Sequence, residues 1–257
     1  MPSSSAKPLS GEALTGRSSA HVVALPGGAC RLHPGAAAAF LAMQAAARGE
    51  GLELQAVSGF RDLARQLAIW NGKFRGERPV LDPHGRPVDM ASLDEAGRVE
   101  AILAWSALPG ASRHHWGSDF DVVDAASVPA GEPPRLESHD FAAAGRHAPL
   151  AGWLDRHAAD YGFFRPYDID RGGVSPEPWH LSFAPVAVPA QAAMGARLLA
   201  EALAGVDIEG RTTIERRLDS LYDRYVAAVA VPPPAALVAR LVDEAAADAL
   251  SRASRPA

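Results

Sequence analysis

The chain has 257 residues, 48% of them hydrophobic and 21% charged, with a formal net charge of −5. That is enough apolar material for one substantial core, and it lacks the basic surface that nucleic acid or anionic lipid would require. The longest apolar runs fall well short of a membrane span, and a single cysteine, Cys30, excludes both an intrachain disulfide and a thiolate cage for a metal.

Residues 1–20, rich in Ser, Gly and Ala, read as a solvated, mobile leader. The apolar run Val22–Leu25 is cut by Pro26-Gly27-Gly28, so no secretory signal core is visible. Pro34 opens an Ala-rich helix to about Arg48, closed by Gly49 and Gly51. Apolar–polar alternation over 52–56 predicts a half-buried strand. Ser58-Gly59-Phe60-Arg61 then turns into a helix capped by Asp62, with Leu63, Leu67 and Trp70 as its core stripe. Residues 71–90 lack periodicity and predict a long loop, whose cations Lys73, Arg75, Arg78 and Arg86 either border a cleft or stand in solvent. Ser92 and Glu95 form a capping-box pair for a helix over 93–107.

Phe120–Val123 reads as a strand with Asp119, Asp121 and Val123 on one face and Phe120 and Val122 on the other. Leu150, Trp153, Leu154, His157 and Tyr161 make a helical stripe stopped by Gly162, and residues 179–183 alternate as a last strand. Asp168-x-Asp170-x-Gly172 has Trp179 where a calcium loop needs Glu, so it reads as a Gly-rich turn. After about Pro189 the pattern is helical, with helices near 190–203, 212–230 and 235–251. Strands and helices mix without regular βαβ alternation, which predicts an α+β fold: a central antiparallel sheet flanked by helices. The expected division is a leader 1–20, a main domain 21–189 and a helical C-terminal extension 190–257.

Two short segments carry the chemistry: Ser112-Arg113-His114-His115-Trp116-Gly117-Ser118-Asp119-Phe120-Asp121 and Glu177-Pro178-Trp179-His180. For any one of nine histidines an ordinary polar or packing role is the stronger reading, and His21, His33, His84, His139, His147 and His157 are assigned to it. The joint pattern is different. Asp121 and His180 both sit opposite large apolar neighbours on predicted strands, and His114 lies seven residues before Asp121 across Gly117. His114, Asp121 and His180 therefore read as ligands of one zinc ion, with Glu177 as general base and later proton donor. Arg61 offers either a bidentate partner for a peptide carboxylate or a stabiliser for an oxyanion.

Ser-x-His-x-x-Gly-x-x-x-Asp followed by Glu-x-Trp-His resembles the D-alanyl-D-alanine metallo-carboxypeptidases, a group related to the vancomycin-resistance D,D-peptidases and the hedgehog amino-terminal domain. The resemblance spans about residues 30–185. It implies one Zn2+ per chain on His114, Asp121 and His180, Glu177 as catalytic base, and Ser112 as the motif's leading serine. Ser58-Gly59-Phe60-Arg61 with Gln66 is similar to the family's substrate-pocket segment, which implies that Arg61, Gln66 and Ser112 meet substrate. Many relatives carry Ala at the position of Asp119. Either Asp119 orients a ligand histidine or His115, or it replaces Asp121 as ligand. The implied activity is hydrolysis of the terminal D-alanine amide of peptidoglycan stem peptides. An endopeptidase or L,D-carboxypeptidase with the same metal is the neighbouring reading, and a non-catalytic zinc-stabilised binding module is the reading from another class. Such a substrate places the protein in the cell envelope or at cytoplasmic wall precursors.

Overall fold

The structure is a computed structural model that describes residues 8–28 and 30–232. A short hairpin of β1 (Val23–Ala24) and β2 (Arg31–Leu32) lies beside a four-stranded antiparallel sheet. That sheet has the order β3 (Leu54–Ser58), β4 (Asp119–Asp124), β6 (His180–Phe183), β5 (Phe163–Phe164). Its helices, in chain order, are α1 (Gly11–Leu14), α2 (Pro34–Gly49), α3 (Leu63–Phe74), α4 (Glu95–Leu103), α5 (Ser138–Phe141), α6 (Ala148–His157), α7 (Ala184–Ala193), α8 (Ala196–Leu203) and α9 (Arg211–Tyr222). The expected α+β class with an antiparallel sheet is what the chain forms. No helix among the described residues is long and apolar enough to cross a membrane.

Alternation along β4 drives the packing. Phe120 and Val122, both fully buried, meet Leu32, Phe40, Met43, Phe163, Leu181 and Phe183 in one apolar cluster. Phe120 makes edge-on contacts with Phe40 and Phe163 at ring separations of 5.2 and 5.3 Å, the geometry aromatic quadrupoles prefer. A second cluster joins Trp70, Val99, Ile102, Leu103 and Trp116 to Leu199, Leu203, Ile214 and Leu221. Helices α7 to α9 therefore share a core with α3 and α4, and the expected boundary at 189/190 falls inside α7.

Several local expectations shift. The strand predicted over 52–56 runs from Leu54 to Ser58, because the Leu52 N–H is still bound to the Ala47 carbonyl at the end of α2. Helix α4 is capped by Asp94, whose carboxylate accepts from Gly97 N at 2.7 Å, and it ends at Leu103 rather than 107. Ser92 is not its cap: the Ser92 hydroxyl donates to Asp89 O, and Glu95 reaches across to Thr213. The helix expected to begin after Pro189 instead runs through it and breaks at Gly195, where the backbone is extended. The last expected helix, near 235–251, lies outside the described residues. So do residues 1–7 of the expected leader, whereas its remainder is docked: Ser10 caps α1, Leu14 is buried, and the Leu14 carbonyl accepts the Trp116 indole N–H.

Gly117 ends the turn Arg113–Trp116 just before β4 and packs against the chain at Val22 and His33. Its φ is +68°, and a Cβ there would lie 2.5 Å from Val22 Cγ1 and 2.8 Å from His33 N. Left-handed strain and overpacking each cost about 1–3 kcal/mol. Gly117→Ala should therefore lower unfolding free energy by roughly 2–6 kcal/mol in urea titration.

Candidate metal centre and active site

Strands β4 and β6 are neighbours, in a register that pairs Asp121 with His180 and Asp119 with Ser182. Because strand side chains alternate, these four project from one face, while Phe120 and Leu181 enter the apolar cluster on the other. The single 3₁₀ turn Arg113–Trp116, ended by Gly117, brings His114 alongside. Ligand-capable atoms of His114, Asp121 and His180 all lie within 4.8 Å of one another.

The hydrogen bonds select which atoms face inward. His114 Nδ1 donates to Gly59 O at 2.9 Å, which leaves Nε2 toward the centre. His180 Nε2 donates to Asp119 Oδ1 at 3.0 Å, which leaves Nδ1, 3.2 Å from Asp121 Oδ1. Asp121 Oδ1 and His180 Nδ1 are buried, and neither has a hydrogen-bond partner among the described residues. Buried polar atoms are costly when unsatisfied, and a cation between them would satisfy both. Two imidazole nitrogens and one carboxylate, with room for water, fit a divalent ion such as zinc.

Electrostatics agree with that fit. Burial, reinforced by Arg61, pulls the His114 pKa down to about 3, so its imidazole is neutral and able to ligate. Burial would raise the Asp121 carboxyl, but His114, His180 and Arg61 outweigh it and hold the group ionised. Around His180 the opposite holds: against burial, Asp119, Asp121 and Glu177 raise the ring's pKa well above its ordinary value. Three carboxylates converging on one ring create the demand for positive charge that a metal ion meets. Glu177 Oε2 stands 3.3 Å from His180 Nδ1, and burial pushes the Glu177 carboxyl up.

The sequence reading left Asp119 three roles. It contacts His180 rather than His115, and it lies behind the His180 ring, away from the ligand cluster. The element that reading missed is Arg113. This guanidinium, 4% exposed, donates to Asp119 Oδ1, Gln191 Oε1 and Ser182 Oγ, each at 2.7 Å, and stacks over Trp116. Ser118 Oγ donates to the other Asp119 oxygen at 2.5 Å. Burial raises the Asp119 carboxyl, but Arg113 and His180 more than reverse that, so it stays ionised. The departure at Asp119 was itself the available signal, since a buried acid beside a ligand requires a counter-ion. Tyr167, edge-on to His180 at 5.1 Å, had no sequence signal.

A cleft of about 1060 Å³ opens onto the triad, lined also by Arg61, Lys73, Trp105, Ser112, Tyr167, Glu177 and Trp179. Arg61 NH2 lies 3.1 Å from His114 Nε2 and 3.4 Å from Asp121 Oδ2. Gln66 is fully buried: its Oε1 accepts from Arg61 at 3.4 Å and its Nε2 donates to Ala107 O at 2.8 Å, so it braces Arg61 from behind. His115 supports Arg61 through the backbone, with Nδ1 donating to Arg61 O at 2.7 Å and Nε2 accepting Gly110 N–H at 3.1 Å.

Two tests follow from these contacts. Arg113→Met strands the Asp119 charge, so unfolding free energy should fall by roughly 3–5 kcal/mol, with the affinity of the triad for a divalent ion reduced about 10–100-fold. Burial lowers the His115 pKa from 6.5 to about 4, so the unfolded chain binds a proton that the folded one refuses. That contribution is complete above the unfolded value and is lost as pH falls toward 4, at up to about 1.4 kcal/mol per pH unit. His115→Asn should flatten the profile by one proton in metal-free denaturation measured across that range.

The model of the VanY family, described as D-alanyl-D-alanine carboxypeptidase, matches residues 29–186. Two proteins of Haemophilus influenzae, each described as uncharacterized, are similar: one is 46% identical over 103 residues, covering 39% of this chain and 70% of that protein. The other is 28% identical over 121 residues, covering 46% and 92%. Among solved structures, VanYB in complex with D-Ala-D-Ala aligns with 21% identity over 74% of this chain and 92% of that one, at a TM-score of 0.48. A Zn(II) complex of the vancomycin-resistance D,D-pentapeptidase VanY aligns with 22% identity over 69% and 88%, at 0.47. The LdcB LD-carboxypeptidase aligns with 22% identity over 76% and 69%, at 0.45. Since the matched residues 29–186 make up more than half of the chain and contain both segments that build the centre, the protein belongs to the VanY family of D-alanyl-D-alanine carboxypeptidases.

Proposed function

We propose that the protein is a zinc-dependent carboxypeptidase that removes the terminal D-alanine from peptidoglycan stem peptides. The observation that carries this reading is a pair of buried atoms 3.2 Å apart, Asp121 Oδ1 and His180 Nδ1, that have no hydrogen-bond partner among the described residues, with the Glu177 carboxylate 3.3 Å from the latter. A structural zinc site closes its coordination with protein ligands and has no use for an adjacent acid. Glu177 beside an incomplete donor set therefore favours hydrolysis over a zinc-stabilised binding module. The substrate class rests on family membership.

A bound zinc ion would supply an acidified water and polarise the scissile carbonyl. Glu177, whose basicity burial increases, takes the attacking water's proton and delivers it to the departing amine nitrogen. The Arg61 guanidinium, set at the ligand edge of His114 and Asp121, stabilises the negative charge developing on the carbonyl oxygen. Gln66 and His115 hold Arg61 in place. Asp119, neutralised by Arg113, keeps His180 in the tautomer that presents Nδ1. Ser112, on the cleft wall next to His114, is positioned to contact the peptide.

The test is D-alanine release from an N-acylated peptide ending in D-Ala-D-Ala, stopped by chelator and restored by zinc. Glu177→Gln should keep one zinc per chain and lose about 10²–10⁴-fold in kcat, whereas His180→Ala should lose the zinc itself. Normal turnover by the Glu177 variant, or no release by the zinc-loaded wild type, would overturn the assignment.

A further inference from the structure

The stretch 71–90 carries four cations, and the structure separates them. Arg75 pairs with Glu77 at 2.7 Å and Glu209 at 3.3 Å, and Arg86 pairs with Asp82 at 2.7 Å. Lys73 and Arg78 instead line the cleft. Lys73 sits near the end of α3, seven residues after Gln66, so both project from the same helix face. Its Nζ donates to Ser106 Oγ at 2.8 Å, and the next carbonyl, that of Ala107, takes the Gln66 amide. Arg61 and Lys73 are thus tied to one wall, with Arg61 at the ligand edge and Lys73 lining the same cleft without an ion pair to Asp121 or Glu177.

Lys73 forms no ion pair among the described residues. Besides Asp121 and Glu177, the carboxylate lining the cleft is Glu137, which lies 3.4 Å from His139. A partly buried ammonium answered only by a hydroxyl is costly, and an anion entering the cleft would relieve it. Burial, opposed by Glu177 and reinforced by Arg61 and Arg78, brings the Lys73 pKa to about 8, so the cation persists at neutral pH.

We propose that Lys73 anchors the α-carboxylate of the peptide's free C-terminus, so that the amide one residue upstream lies against His114, Asp121 and His180. The position of the cut rests on the carboxypeptidase reading above; the anion-binding role of Lys73 does not. Arg61 is turned onto the ligand atoms, where the attacked carbonyl would sit. Successive Cα atoms are about 3.8 Å apart, so a carboxylate one residue downstream needs a second cation along the same wall. An ammonium is a point charge with three donors and accepts a carboxylate without a fixed fork geometry. An internal peptide would present a neutral amide there and leave Lys73 unanswered, which makes this residue a source of preference for chain ends.

The experiment is calorimetric binding to the zinc-loaded Glu177→Gln protein, using one N-acylated D-Ala-D-Ala peptide as the free acid and as its C-terminal amide. The acid should bind at least about 10-fold more tightly, the energetic scale of one charge-assisted contact. Lys73→Gln should abolish that preference and leave amide affinity unchanged; Lys73→Arg should restore most of it. Retention of the preference in Lys73→Gln, or its absence in the parent, overturns the proposal. D-alanine release by the wild type is read separately. Release together with an undiminished acid preference in Lys73→Gln removes Lys73 alone, whereas Lys73-dependent binding without release removes the catalytic reading alone.

Discussion

The Arg113 guanidinium is packed against the site-bearing face of the sheet with Asp119 as its counter-ion, and the orientation of His180 follows from that pair. A buried ion pair gives little net stability against an apolar replacement, but removing one member leaves a desolvated charge. Its value here is geometric. Asp119 accepts both Arg113 Nε and His180 Nε2, so the imidazole cannot rotate without breaking a charge-assisted bond. The β4–β6 register then places Asp121 opposite the freed Nδ1. Fixing one ring in this way positions two of the three candidate ligands.

The third ligand is positioned by a separate device. His114 belongs to a single 3₁₀ turn, and its Nδ1 is held by the carbonyl of Gly59, just beyond the irregular end of β3. That carbonyl can approach because Gly59 has no side chain: a Cβ there would lie 2.8 Å from the Arg31 carbonyl oxygen. Arg61, two residues on, is held by Gln66 through its side chain and by His115 through its backbone. The two chemical segments of the sequence are therefore connected by a third, 58–66, that supplies no candidate ligand.

The cleft has a chemical polarity that the net charge of the chain conceals. Overall the protein is acidic, yet its cleft carries Arg61, Lys73 and Arg78 against few uncommitted carboxylates. Local charge of this kind concentrates anionic ligands whatever the molecule's total. Trp105 and Trp179, which also line the cleft, stack at 6.1 Å with their planes 20° apart and add an apolar surface to it.

Alternation and spacing alone made much of this legible. Phe120 and Val122 had to face a core, so Asp119 and Asp121 had to face away, and the tight Glu177–His180 spacing identified the other half of the centre. The helices starting at Pro34 and after Asp62 were equally plain, because N1 proline and an N-cap carboxylate act within one turn. Ser92 and Asp94 compete for one helix start within the same few residues, and pattern could not rank them. Arg113, and the choice between cleft and solvent for Lys73, were beyond its reach for a different reason. A charged side chain looks the same in sequence whether it meets solvent, a buried acid 2.7 Å away or an open cleft. Local periodicity dictated which residues turn inward; only the packing of β4, β6, α3 and the turn at Gly117 decided which charges meet, since such contacts join residues distant along the chain.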